Sequence, residues 1–199
     1  MQARSSRELS IAILAKRALC STDSHARHFH CSLRPMSAIP TRRHLQYATG
    51  FIELGMFADA ERELRAIAVE DQGSAEVLTR WIDLHMHAKQ WKDVIAVSQK
   101  MVRIKPDDDK GWISWAFALR ELNRFEEARE VLLKAMPLHG KTCDVLHYNL
   151  ACYECLLGNL PEAKRHFKTA ARKDKQWKTE GMTDPDLEAL WPAIKLMDD

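Results

Sequence analysis

No stretch of this chain approaches the roughly 20 consecutive apolar residues that a membrane-spanning helix requires, so neither a transmembrane protein nor a membrane partner is implied. Glycine and proline are scarce, at seven each in 199 residues, too few for the turn-rich connections of an all-β fold. Cysteine is sparse and odd in number. Cys20, Cys31, Cys143, Cys152 and Cys155 follow no framework spacing, and residues 1–10 lack the apolar run of a secretory signal. Reduced thiols in a reducing, cytoplasmic compartment are therefore expected. Charge of one sign is also missing, because the net charge is only +2. Residues 1–43 hold eight Lys and Arg against Glu8 and Asp23, which leaves 22 basic and 26 acidic residues for the rest. A mildly acidic body gives no basic groove for phosphates, so no nucleic-acid partner is expected. Nucleophile elbow, phosphate loop, zinc-protease and kinase signatures are all absent. The expectation is a protein that is not an enzyme and takes no cofactor and no metal.

What is present is apolar and charged in globular proportion, at 46% and 29%, which suits a packed core. Residues 1–41 stand apart, with clusters of Ser, Arg and His, then Pro35 and Pro40. They are expected to be a disordered or dispensable extension, with Met36 as an alternative start. Their Arg-rich, acid-poor composition gives a rival expectation, a transit peptide and a mitochondrial location.

From residue 42 the sequence repeats itself. The turn residues Gly55, Lys89, Asn123 and Gly158 are spaced by 34, 34 and 35. Two residues after each stands Phe57, Trp91, Phe125 or Leu160, and three later Ala60, Val94, Ala128 or Ala163. Leu64, Ser98, Leu132 and Phe167 follow, then Ile67, Met101, Ala135 and Ala170. Seven residues before each turn lie Ala48, Ile82, Ala116 and Ala151, preceded by Tyr47, Trp81, Trp115 and Leu150. Each unit predicts two antiparallel helices with one buried face apiece. The first helices cover about 42–54, 76–88, 110–122 and 144–157; the second cover about 58–70, 92–104, 126–136 and 161–173. An all-α solenoid of four helix-turn-helix repeats over 42–175 follows, with a linker and a capping helix over 176–199. Asp184 is its expected N-cap, Pro185 its first residue, and Leu187, Leu190, Trp191 and Ile194 its apolar stripe.

The run Trp112…Trp115-Ala116…Ala128…Leu132…Ala135, and Tyr148-Asn149-Leu150-Ala151 followed by Gly158 and Ala163, resemble the tetratricopeptide repeat. The resemblance covers residues 42–175. Ile82 and Ser98 depart from it, so the second unit is expected to pack less regularly. The resemblance implies a concave groove lined by the first helix of each unit. Carried onto this sequence, it would present Leu45, Thr49 and Ile52; Arg80, Asp83 and Met86; Ile113, Phe117 and Arg120; and Tyr148, Asn149 and Cys152. Such a surface implies a protein or peptide partner laid in the groove as an extended segment or helix. Self-association as a homodimer and secretion-type chaperoning are the alternatives. The carboxylate clamp of some co-chaperones is not matched, since only Lys110 fits it.

The remaining chemistry-bearing residues have structural readings. Cys152 and Cys155 sit mid-helix without a neighbouring strand, which argues for packing over redox chemistry, and Cys143 and His147 lie too far upstream to complete a metal site. His85 and His87 flank Met86 and point apart. Asp107, Asp108 and Asp109 read as a helix start, and the tryptophans as packing residues.

Overall fold

A computed structural model of the chain describes residues 39–196. The expectations for the N-terminal extension fall on residues outside that range. Eight helices form four hairpins: α1 (Thr41–Glu53) with α2 (Phe57–Arg65), α3 (Ala75–His87) with α4 (Trp91–Ile104), α5 (Asp109–Glu121) with α6 (Phe125–His139), and α7 (Asp144–Leu156) with α8 (Leu160–Lys173). Two short helices, α9 (Gln176–Gly181) and α10 (Trp191–Lys195), flank a 3-10 helix over Pro185–Leu190. No strand occurs among the described residues.

The turns explain the period. Gly55, Lys89, Asn123 and Gly158 are the described residues with positive φ, at 72°, 56°, 58° and 79°. In each hairpin the amide of that residue donates three positions back. The next amide donates five back, to Phe51, His85, Leu119 or Glu154, at 2.8–2.9 Å. This is the Schellman closure, which satisfies the last carbonyls of a helix and reverses the chain through one left-handed residue. A fixed turn sets a fixed hairpin angle, so the contact positions recur. Ala48, Ile82, Ala116 and Ala151 on the first helices, and Ala60, Val94, Ala128 and Ala163 on the second, are all fully buried. Leu64, Leu132 and Phe167 are fully buried too, as are Met101, Ala135 and Ala170. In the first repeat Ala48, Ile52, Ala60, Leu64 and Ile67 pool with Val77 and Leu84 of the second, so the seam runs through the repeat boundary.

The departures in the second repeat are absorbed. Ile82 is fully buried, and Ser98 is fully buried with no hydrogen-bond partner for its hydroxyl. Three boundaries differ from expectation. Helix α2 stops at Arg65, because the Gln72 side chain donates to the Leu64 and Ile67 carbonyls at 2.8 and 2.9 Å and closes a turn there. Helix α6 runs on to His139 through Pro137, whose fixed φ is helical and whose missing N–H removes one bond only. The expected C-terminal helix is broken. Asp184 does cap it, accepting from the Asp186 amide at 3.0 Å, but Pro192 permits only a 3-10 helix before a new start at Trp191.

Left-handed backbone penalises a side chain by about 1–2 kcal/mol. Lys89→Gly is therefore expected to raise unfolding stability by about 0.5–1 kcal/mol after the entropy of the unfolded glycine is counted, and Gly158→Val to lower it by at least as much. Ser98→Ala is expected to add about 1 kcal/mol by removing a buried, unpartnered hydroxyl. Chemical denaturation of the three variants checks these signs.

Candidate functional site

The predicted groove residues separate into three groups. Ile52, Met86, Ile113 and Phe117 are buried in the seams between helices, and the Phe117 ring meets the edge of Trp91 with centroids 5.9 Å apart. Their burial departs from the expectation that they line an open surface. Thr49 donates to the Leu45 carbonyl at 2.8 Å on its own helix, and Leu45 packs on the first-repeat core from a half-buried position.

The second group is polar and half-buried. Arg80 Nη1 donates to Asp83 Oδ2 at 2.8 Å, and Lys110 Nζ reaches Asp83 Oδ1 at 2.6 Å. The i,i+3 spacing on α3 brings the first pair together, and the start of α5 brings the lysine across the repeat boundary. The side chains keep 20–28% exposure, so the triad is a fixed polar feature between the second and third repeats. Asn149 is also half-buried.

The third group is covered by the chain's own C-terminal segment. Trp177 on α9 stacks on Tyr148 with centroids 4.2 Å apart and donates to Asp144 at 2.9 Å. The Tyr148 hydroxyl donates to Asp184 Oδ2 at 2.8 Å, with Cys152 Sγ 3.7 Å from the same oxygen. Arg120 donates from Nε to Asp186 Oδ2 at 2.7 Å and from Nη2 to Asp186 Oδ1, while Nη1 donates to Glu121. Leu187, Leu190 and Ile194 are buried beneath. Gly181 makes the approach possible, since a Cβ there would stand 2.5 Å from the Phe167 ring. Sequence reasoning expected this segment to cap the end of the array. It missed that Asp184 and Asp186 reach Tyr148 and Arg120 on the first helices of the fourth and third repeats. The available signal was an Asp-x-Asp pair following an unmatched Arg120.

Charge in this corner is tightly managed. Burial, with Asp186 beside it, holds the Asp184 carboxyl above its ordinary range, although Tyr148, the Asp186 amide and Arg120 favour its ionised form. Burial opposes the Arg120 charge, and Asp186 and Glu121 more than offset it. Cys152, Asp184 and Asp186 bring three ligand atoms within 4.8 Å of one another. Arg120 already supplies the cation there, in forked geometry. Burial pushes both the Cys152 and the Cys155 thiols up, the reverse of what a redox thiolate needs.

A second buried cluster was not anticipated. His147 Nδ1 and His166 Nδ1 lie 3.0 Å apart. Arg165 donates to His166 Nε2 at 3.0 Å, so His166 carries its proton on Nδ1 and donates to His147, whose Nε2–H donates to the Gly140 carbonyl at 2.8 Å. All four ring nitrogens are used only when both rings are neutral. Burial, then Arg165 and His147, lowers His166 to about 4. Burial, with Lys173, Arg165 and Arg172 nearby, lowers His147 against the Gly140 carbonyl. Elsewhere His85 stacks on Trp81 and meets Gln90, and Asp108 caps α5 by accepting from the Lys110 amide. A hollow of about 410 Å³ is lined by Gln72, Gly73, Leu78, Lys100, Arg103 and Ile104, none of them a predicted groove residue.

Because the folded histidines take up protons at lower pH than unfolded ones, acid favours the unfolded chain. Stability is expected to fall as pH drops from about 6.5 toward about 4. Thermal melts at pH 7 and 5 check this. The His147→Leu, His166→Leu chain should lose the part of the drop due to the pair. Tyr148→Phe is expected to lower stability by about 1–3 kcal/mol, since Asp184 loses a buried donor.

The fold matches solved structures at low sequence identity. A crystal structure of MamA protein is 15% identical, with 79% of this chain and 84% of that chain covered at a TM-score of 0.64. Pseudomonas aeruginosa PilF is 19% identical, with 79% and 70% covered at a TM-score of 0.63. YrrB, described as a TPR protein with an unusual peptide-binding site, is 12% identical, with 76% of each chain covered at a TM-score of 0.58. No family model and no curated protein matches the sequence.

Proposed function

We propose that this chain, which has the tetratricopeptide-repeat fold, is a non-catalytic interaction module holding an extended segment of a partner protein across its first three repeats. The observation that carries this reading is the Arg80–Asp83–Lys110 triad, a partly exposed polar anchor bridging the first helices of two repeats. Fixed polar groups of this kind suit recognition of peptide backbone and acidic side chains. The similarity to YrrB supports the reading through fold alone. Since Ile52, Met86, Ile113 and Phe117 are buried, the ligand is held more by polar contacts than by apolar pockets, and its binding should weaken with salt. A reducing, cytoplasmic compartment suits the buried thiols Cys143, Cys152 and Cys155.

Affinity purification of the full chain with mass spectrometry tests this. Arg80→Glu with Lys110→Glu is expected to lose the captured partner by tenfold or more while the helical circular dichroism stays unchanged. An identical set of captured proteins would sink the reading.

Self-association is the second reading. Tyr47 is 46% exposed and Leu54 74% exposed on α1, whereas Trp81, Trp115 and Leu150, at the position of Tyr47 in later repeats, are at least half-buried. A dimer in light scattering that Tyr47→Glu dissolves would favour it. Trp191, whose indole N–H donates to the Gly181 carbonyl at 2.9 Å, is partly exposed at the other end of the array, and loss of the dimer on its mutation would favour the same reading.

A further inference from the structure

In a stacked array each repeat touches only its neighbours. A regular fifth first-helix would rest on the fourth repeat alone. The C-terminal segment does not obey this rule. It follows α7, with Trp177 at Asp144 and Asp184 at Tyr148 and Cys152. Asp186 then reaches past the fourth repeat to Arg120 in the third. That contact lays the segment against the first helices of the fourth and third repeats, the elements expected to line the ligand face of such an array.

We infer that the groove between the third and fourth repeats is a receptor for an acidic segment of the form Asp-x-Asp-Leu, and that a partner carrying one takes the place of the chain's own Asp184–Leu190. The inference rests on the concave face being the ligand face, but concerns a different stretch of it from the Arg80–Asp83–Lys110 anchor. The contacts are those of peptide recognition: a forked guanidinium on one carboxylate, a tyrosine hydroxyl on the other, and Leu187 fully buried after them. Thr183, Pro185, Glu188 and Ala189 stay exposed, so the segment is a strap laid on the surface. Its helices of six, six and five residues are too short to persist without the surface beneath them. The fit is also incomplete. The Tyr153 hydroxyl, in the field of Arg120, Asp186 and Glu121, is buried without a hydrogen-bond partner. An incoming segment with one more acceptor would satisfy it. Basic segments are excluded by Arg120.

The test uses a fluorescent peptide of residues 181–192 and the full chain, read by anisotropy. The unmodified chain should bind it weakly, because its own strap competes. Asp186→Arg repels that strap from Arg120 and should bind the peptide at least tenfold more tightly. Adding Arg120→Asp re-pairs the strap with swapped charges and should return binding to the weak level. A peptide with Lys in place of both aspartates should not bind. A folded Asp186→Arg chain with no gain in binding overturns the inference. If Asp186→Arg loses its helical circular dichroism, hydrogen exchange of the unmodified chain decides. Excess peptide must then speed exchange at the Asp186 and Leu187 amides, which donate to Asp184 in the docked segment, and unchanged exchange overturns the inference. A doubling of solution mass that the peptide reverses would put a second copy's strap in the groove and would overturn the partner assignment. Arg80→Glu with Lys110→Glu should leave peptide binding intact, which separates this site from the first.

Discussion

The structure depends on a seam that no single hairpin can close. Two helices of about thirteen residues bury one stripe between themselves and leave another bare, and helices of that length are marginal alone in water. The second stripe is covered only by the next hairpin. Val77 and Leu84 of the second repeat accordingly complete the core begun by Ala48, Ala60 and Leu64 of the first. Order therefore propagates along the stack, and it does so only if every hairpin presents its stripe at the same angle. Four identical Schellman turns supply that angle, two of them by forcing Lys89 and Asn123 into left-handed backbone. Local strain is tolerated because a change of hairpin angle would open the seam on both sides.

This constraint also decides what remains for function. Four of the twelve positions expected to line the groove are instead taken up by the packing between helices. Ile52, Met86, Ile113 and Phe117 pay out their apolar area as stability and leave little for a ligand. Of the residues expected to line the groove, those that keep polar contacts across repeats are Arg80 and Asp83, with Lys110, in the middle and Arg120 toward the end. On the proposed reading, recognition would rest on charge geometry more than on hydrophobic pockets.

The periodic part of this was readable from residues alone. The 34-residue spacing located all four turns, and the size pattern at Ala48, Ala60 and their equivalents gave the helix faces, because nearest-neighbour packing makes each repeat report on the next. Sequence spacing fails where that locality fails. The Arg120–Asp186 pair joins residues 66 apart across an intervening repeat, and no periodicity points to it. The His147–His166 pair was invisible for a related reason: His147 repeats His44 of the first unit, which pairs with Glu63, but His166 stands where Glu63, Val97 and Val131 stand in the other units. Helix α2 ended early through Gln72, a single side chain bonding two carbonyls, which no hydrophobic pattern encodes. Pro192 was a local signal that the last helix would break.

The polar clamp on the C-terminal strap is poorly explained as a source of stability. Burying Asp184 and Asp186 against Arg120 and Glu121 carries a desolvation cost that the ion pairing roughly returns, and apolar residues of the same size would hold as well or better. The apolar anchors Leu187, Leu190 and Ile194 already supply the energy of attachment. What the clamp adds is position. It fixes which carboxylate meets Arg120 and which meets Tyr148, and so sets the register of the strap on the groove. A cover needs no such register, because any apolar helix would close the end of the stack. A recognition site does need it, because discrimination between segments lies in the arrangement of charges.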